Sequence, residues 1–510
     1  MTRTEALVAI ETPSKTLTPE ERQSVLRTLK SPRLLKTEVL AGLVVALALI
    51  PEAIAFSIIA GVDPRVGLFA AFTMAVTIAF VGGRPAMISG ATGAIALVIA
   101  PLVASHGTDY FIAAVLLAGV LQIVLAVLGV AKLMRFIPRQ VMVGFVNALA
   151  ILIFSAQVPE LLGVPWLVYP LVALGLLIVF GLPKLTTAVP APLVAIVVIT
   201  LITVLISMNV PTVGGKGDLP NSLPGLVFPN VPLTWETLQI IFPFSLAMAF
   251  VGLLESLMTA KLVDDVTDTR SSKTRESWGQ GVANLVTGFF GGMGGCAMIG
   301  QTMINVKASG ARTRISTFLA GALLLVLVVA LGDIVALIPM AALVAVMVFV
   351  SVATFDWHSI KPSTLAMMPK SETTVMVVTV IGTVATNNLA IGVGIGVLTA
   401  MVLFARRVAH FVTVDRQVEE DDGAPVATYR VHGELFFASS NDLYTQFDYA
   451  GDPDRVVIDL SDSHLWDAST IAALDSITEK YEKYGKTASV RGLNTASLEM
   501  RRRMAGKLGG

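Results

Sequence analysis

Charge is scarce in this chain. Of its 510 residues only 14% are Asp, Glu, Lys or Arg, against about 25% in soluble domains, so an ordinary soluble protein is excluded. Thiols are scarcer still: Cys296 is the sole cysteine, which excludes an intrachain disulfide and a thiolate zinc cluster. The five histidines, His106, His358, His410, His432 and His464, are scattered and form no H-E-x-x-H pattern, and no G-x-x-x-x-G-K-[ST] stretch exists. Neither a metal centre, nor a cofactor, nor an ATP-driven pump is therefore expected, and nothing points to an enzyme. Basic and acidic residues balance at 36 each, so no net field attracts nucleic acid. The first 36 residues are polar and lack an apolar core, so a cleaved secretory leader is not expected.

What the chain has in excess is apolar residues, 55% of the total, and their placement is uneven. From Val39 to Ala405 there are 30 charged residues in 367, whereas from Pro425 to Gly510 there are 22 in 86. The first portion suits lipid and the second suits water. The expected division is a cytoplasmic N-terminal segment at 1–36, a membrane domain at 37–410, a linker at 411–424 and a small soluble domain at 425–510. Within the membrane portion fourteen apolar runs recur between polar breaks. Several reach the roughly 20 residues of a spanning helix, but the third (91–104) and tenth (297–304) are short and rich in glycine. With the N-terminus in the cytoplasm, twenty Lys and Arg residues of the connections fall inside and only Arg65 and Lys216 fall outside. That positive-inside bias, with an even number of spans, places both termini in the cytoplasm of a cell whose inner membrane holds the protein.

The runs repeat at an offset near two hundred residues. Glycines punctuate the third run (Gly82, Gly83, Gly90, Gly93) and the ninth and tenth (Gly288, Gly291, Gly292, Gly294, Gly295, Gly300). Glu52 and Glu255 lie 203 positions apart, and the Ile137-Pro138 and Ile338-Pro339 pairs 201 apart. Seven runs separate each pair. An odd number of spans reverses orientation, so the halves, about 37–210 and 236–410, read as inverted repeats with interrupted segments at the binding site.

Two acids, Glu52 and Glu255, lie well inside apolar runs. An ionised carboxylate there costs roughly 2.5 to 3.5 kcal/mol on insertion scales, so such residues mark ion or proton pathways. The competing reading is a protonated carboxyl hydrogen-bonded to a neighbouring helix, and for Glu52 recruitment by backbone freed at Pro51. If the short third and tenth runs are half-helices, their free N–H groups and positive dipole ends can hold an anion without Lys or Arg. The contacts would be Ala91, Thr92, Gly93 and Ala94 on one side and Ile299, Gly300, Gln301 and Thr302 on the other. Close helix packing through small residues is the alternative.

The stretches Pro51-Glu52-Ala53-Ile54-Ala55-Phe56, Ala60-Gly61-Val62-Asp63-Pro64 and Gly67-Leu68-Phe69 resemble the signature of the SulP anion permeases, bacterial relatives of prestin and pendrin. Gly252-Leu253-Leu254-Glu255-Ser256-Leu257, Thr267-Asp268-Thr269-Arg270, Gly279-Gln280-Gly281, Asn284 and Gly288-Phe289-Phe290-Gly291-Gly292 are similar to the same family. The resemblance implies an all-α membrane fold of seven plus seven inverted segments, shared with uracil permeases and divided into a core and a gate domain. It places the anion between segments one, three, eight and ten, which brings in Glu52 and Phe56. It also implicates Glu255 in cation coupling, with Thr259 one turn later as a ligand if the cation is sodium rather than a proton. Two departures stand out. Many members carry Gln where this chain has Glu52. Some carry an Arg in segment ten, which falls on Gln301 if Asn305 is the anchor, or on Thr302 if the extra residue between Asn305 and Arg312 is counted from the other side.

The soluble tail alternates strand and helix patterns, giving a small layered α/β domain. Strands are expected at 426–431, 455–460 and 487–490, and helices at 441–447, 469–484 and 495–504. Asp459-Leu460-Ser461 and Asp467-Ala468-Ser469 resemble the STAS domain that closes SulP chains, and in soluble relatives of that domain the serine corresponding to Ser469 can be phosphorylated; as a local signal Ser469 instead reads as a helix cap. The combined expectation is a secondary transporter of a small anion, moving by an elevator-like displacement of the core. Proton-coupled symport of a C4-dicarboxylate such as fumarate leads, with sulfate or bicarbonate, sodium coupling, or a passive channel as alternatives. A homodimer and a cytoplasmic partner for the STAS domain are implied.

Overall fold

The computed structural model describes residues 23–133, 137–186, 190–220, 222–409, 412–421, 424–440 and 443–504. Most of the expected N-terminal segment, Arg135, Val189, His410, the start of the helix expected at 441–447, and the ends of the expected linker lie outside the described residues. Two compact units divide the chain, 1–396 and 397–510.

Helix follows apolar run through the first unit: α1 (Pro32–Ala60), α2 (Pro64–Val81), a two-residue strand β1 (Ser89–Gly90), α3 (Gly93–Val127), α4 (Arg139–Ser155), α5 (Val168–Gly181) and α6 (Ala191–Leu205). There follow α7 (Trp235–Thr267), α8 (Lys273–Phe289), a second two-residue strand β2 (Cys296–Ala297), α9 (Ile299–Met303), α10 (Arg314–Ala330), α11 (Met340–Thr354), α12 (Lys370–Thr386) and α13 (Leu389–Ala409). Among the described residues six helices, α1, α2, α3, α4, α7 and α13, are long and apolar enough to cross a membrane, and α5, α6, α10 and α11 are shorter apolar helices. The run expected at 91–104 opens α3, which continues to Val127 and is broken at Gly107, whose φ of 80° and ψ of −172° only glycine adopts cheaply.

Packing sorts the helices into two groups. In one, α8 lies along α3 and α2, α7 along α3, and α10 along α1 and α2; in the other, α4 packs on α12 and α11, and α5 on α6 and α11. Connections are anchored by buried polar groups rather than by apolar contact. Glu38 Oε1 accepts from the amides of Arg312 and Thr313 at 2.7 and 3.0 Å, and its Oε2 from that of Ser316 at 3.1 Å, so it satisfies the N-terminus of α10. Glu276 accepts from the amides of Gly83 and Arg84 at 2.7 and 3.0 Å. Glu276 lies in the first turn of α8 and is buried there. Helix α8 begins at Lys273, capped by the Ser272 side chain, and in its first turns Glu276, Ser277 and Gln280 are buried while Thr274 and Arg275 are exposed.

In the second unit α13 runs on past Gly396, with Leu398, Met401, Val402 and Phe404 exposed along it. A four-stranded sheet follows in the order β3 (Thr413–Asp421), β4 (Ala424–Leu435), β5 (Arg455–Leu465), β6 (Thr487–Arg491). Strand β3 is antiparallel to β4, while β4–β5 and β5–β6 are parallel; α14 (Ala468–Lys483) crosses over between β5 and β6, and α15 (Thr495–Met504) follows β6. Residues 413–421 were expected to be linker. Their acidic surface hid an edge strand paired residue for residue, from Thr413 opposite His432 to Asp421 opposite Ala424. The helix at 441–447 is a short 3₁₀ turn at Leu443–Gln446. Ser469 does not cap α14 either: the helix starts one residue earlier, and the Asp467 carboxylate takes the cap by accepting from Thr470 N at 3.0 Å.

Buried Asp452 ties this domain's aromatic core together. It accepts from the hydroxyls of Tyr429 (2.8 Å) and Tyr481 (2.6 Å) and from Arg416 Nε (2.8 Å). Replacing it by Asn leaves a hydrogen-bond donor where an acceptor is needed. Asp452→Asn is expected to destabilise the domain by about 2 kcal/mol, read as faster hydrogen exchange of residues 413–504 in the full chain with the membrane helices unaffected.

Candidate functional site

A cavity of about 600 Å³ lies within the first unit, between the two helix groups. The first group contributes Glu52 and Phe56 from α1, Thr92 and Gly93 at the start of α3, Glu255 from α7, and Ile299, Gly300 and Gln301 from α9; the second contributes faces of α4, α6 and α11. Its architecture rests on two extended segments that break the helical run. Strands β1 and β2 pair antiparallel, Ser89 opposite Ala297 and Gly90 opposite Cys296. Glycine is required at the crossing, because a Cβ on Gly295 would come within 2.7 Å of the Gly90 carbonyl carbon.

Backbone removed from helix must find partners when no water is present. Asn284 supplies two, its Oδ1 accepting from Gly295 N at 2.8 Å and its Nδ2 donating to Gly295 O at 3.0 Å. Ser256 Oγ accepts from Ala297 N at 3.0 Å, and the Met298 amide donates to the Ile88 carbonyl at 2.9 Å. Helices α3 and α9 then start at the cavity wall, α3 capped by the Thr92 hydroxyl, which accepts from Ile95 N at 3.4 Å. Their first amides have no carbonyl one turn back to bond, so two positive helix ends converge on the cavity.

The two acids take different partners. Glu52 Oε1 accepts from Gln301 Nε2 at 2.5 Å, so its partner is a side chain of α9 and not backbone freed by Pro51. Glu255, 6% exposed, accepts at Oε2 from the Cys296 thiol at 2.9 Å, and the sulfur lies 3.2 Å from Thr92 Oγ1. Not every expected contact faces the cavity. Ala91 and Ala94 are buried behind it. Thr259 Oγ1 donates to the Glu255 carbonyl within its own helix at 2.7 Å. Thr302 points the other way, its hydroxyl accepting from Ile88 N at 3.0 Å. A π-turn at Ile304–Ala308 follows α9. Upstream of it Gln301 keeps its place on the cavity and Thr302 does not.

Sequence reasoning missed Cys296 as a partner of Glu255; its signal was a lone thiol inside a glycine-rich break. It also missed what the Thr267-Asp268-Thr269-Arg270 stretch does. Thr267 and Thr269 hydroxyls accept from the Arg84 guanidinium at 2.6 and 2.8 Å, and Asp264 pairs with it at 2.9 Å. This cluster binds β1's approach to the end of α7 and stands apart from the cavity lining.

Residues 35–170 and 164–379 match the family model described as Sulfate permease family, and residues 415–503 match the STAS domain. The chain belongs to the sulfate permease family. Among its relatives is the putative sulfate transporter YbaR of Bacillus subtilis, 54% identical, the match covering 92% of this chain and 97% of that protein. Of solved structures, the permease is similar to the transmembrane domain of a cyanobacterium bicarbonate transporter, BicA, with a TM-score of 0.63 and 26% identity over 71% of this chain and 98% of that one. It shares its fold with murine Slc26a9, TM-score 0.80 at 17% identity, over 98% of this chain and 92% of that one. It is thus a multi-pass membrane protein with a C-terminal STAS domain.

Asn284 is the test of the crossing. Asn284→Ala leaves the Gly295 amide and carbonyl without partners and is expected to cost about 2 to 4 kcal/mol, seen as a lowered unfolding temperature in detergent; an unchanged temperature would refute its bridging role.

Proposed function

We propose that the permease is a secondary transporter of a small anion, coupled to protons through Glu255, with C4-dicarboxylates such as fumarate the first substrates to test. One observation carries the reading: two helix N-termini and two carboxyls converge on a cavity whose lining, among the described residues, contains no Lys or Arg. Helix ends and amides attract an anion. Ionised Glu52 and Glu255 repel it, and in a low-dielectric cavity that repulsion is large. A proton bound with the anion removes the conflict, which is the physical basis of symport here. Phe56, Phe145 and Phe349 in the lining suit a carbon skeleton as well as an oxyanion.

The second reading is sulfate or bicarbonate, favoured by the names its relatives carry. Sodium is the alternative coupling ion, with Thr259 one turn from Glu255. A passive channel would let uptake follow the anion gradient alone. Transport is read as an elevator-like displacement of the helix group carrying α3 and α9 against the group carrying α4 and α11. The proposal includes an inner-membrane location with both termini in the cytoplasm, a homodimer, inverted seven-segment halves, and a STAS domain that engages a cytoplasmic partner or is regulated at exposed Ser469.

Two measurements in proteoliposomes test this. Under an inward pH gradient, labelled fumarate, sulfate and bicarbonate are offered in turn; Glu255→Gln is expected to abolish gradient-driven uptake of the transported anion, and undiminished driven uptake would sink proton coupling at this residue. Gly300→Val tests the cavity. A Cβ at Gly300 meets nothing within 4 Å, so the variant should melt like the wild type while its uptake falls about tenfold or more, roughly the loss of one good contact to the anion.

A further inference from the structure

Cys296 stands between the acid and the helix end that faces the anion. Four groups form a continuous chain: Ile95 N donates to Thr92 Oγ1 at 3.4 Å, Thr92 Oγ1 lies 3.2 Å from Cys296 Sγ, and Cys296 Sγ donates to Glu255 Oε2 at 2.9 Å. Thr92, Cys296 and Glu255 are all at least nine-tenths buried. A thiol and a hydroxyl each have a single proton to donate, so the direction of such a chain is set by its ends.

With Glu255 ionised, the thiol must donate to the carboxylate. Sulfur then accepts from the Thr92 hydroxyl, whose oxygen accepts from Ile95 N–H. When a proton from cavity water settles on Glu255 Oε2, the carboxyl O–H donates to sulfur instead. The thiol turns toward the Thr92 oxygen, and the Thr92 proton loses its acceptor. Thr92 borders the cavity beside the first amides of α3, so its hydroxyl turns there to donate. No bond on sulfur or on Thr92 is broken; both groups rotate.

We propose that Cys296 is a positioning residue which reverses this chain, so that protonating Glu255 turns the Thr92 hydroxyl onto the bound anion. The inference rests on the proton-coupled reading above and supplies its linkage: proton and anion favour each other without touching. Glu52 on α1 is the other titratable group in the cavity lining, paired with Gln301; the lining residues of α3, α4, α6, α9 and α11 bring none.

Because the chain has one cysteine, its S–H stretching band in the infrared belongs to this site alone. In the full chain in lipid vesicles the band is expected to shift between alkaline and acidic buffer and to stay fixed in Glu255→Gln; an unshifted wild-type band overturns the proposal. In parallel, uptake of labelled fumarate and sulfate is followed against pH. Cys296→Ala should raise KM in acidic buffer by about tenfold, the factor of one hydrogen bond to a charged group, and more than it lowers the maximal rate. Cys296→Ser, which keeps a donor and an acceptor, should restore the dependence of KM on pH. Identical profiles for the Ala and Ser variants would reduce Cys296 to packing and overturn the relay. A shifting band with no wild-type uptake of either anion supports the relay and overturns transport of these substrates.

Discussion

The crossing of β1 and β2 is the contact on which the permease's site depends. Two chain segments leave the helical state in the middle of a helical bundle, and the cost of their open backbone is met by one short ladder and by Asn284, Ser256 and Ile88. Only Gly295 fits against Gly90 at that distance. Because the ladder fixes where helix resumes, it also fixes where α3 and α9 present their first amides and the positive ends of their dipoles.

Electrostatic design here works by omission. A cavity with a lysine or arginine would hold an anion whatever the state of its acids. Among the described lining residues there is none, so helix ends and the two carboxyl groups are the polar features that face one another there. Gln301 and Cys296 give Glu52 and Glu255 separate partners, so the two acids answer to different surroundings although they line one cavity.

The second unit is built on other rules. Its core is aromatic and aliphatic, with Tyr429 and Tyr481 bonded to Asp452, and its parallel strands require α14 as a crossover. The helices expected at 469–484 and 495–504 appear within one residue, whereas β3 was unreadable: an edge strand with Asp415, Arg416, Glu419 and Glu420 exposed has the composition of a loop, and only its partner β4 reveals it.

Composition and hydrophobic runs alone determined that most of this chain is membrane helix, that a soluble α/β domain closes it, and that Glu52, Glu255 and two glycine-rich breaks belong together, because lipid penalises charge and open backbone wherever they occur. Those penalties act locally, so they can be read residue by residue. Which groups face the cavity was decided by tertiary structure. Gln301 faces the cavity and adjacent Thr302 the wall because helix α9 starts from β2 in one rotational setting, and the Thr92–Cys296–Glu255 chain exists because three segments from distant positions meet at one point. Neither follows from spacing, since a helix's rotation and a crossing's geometry are set by what packs against them.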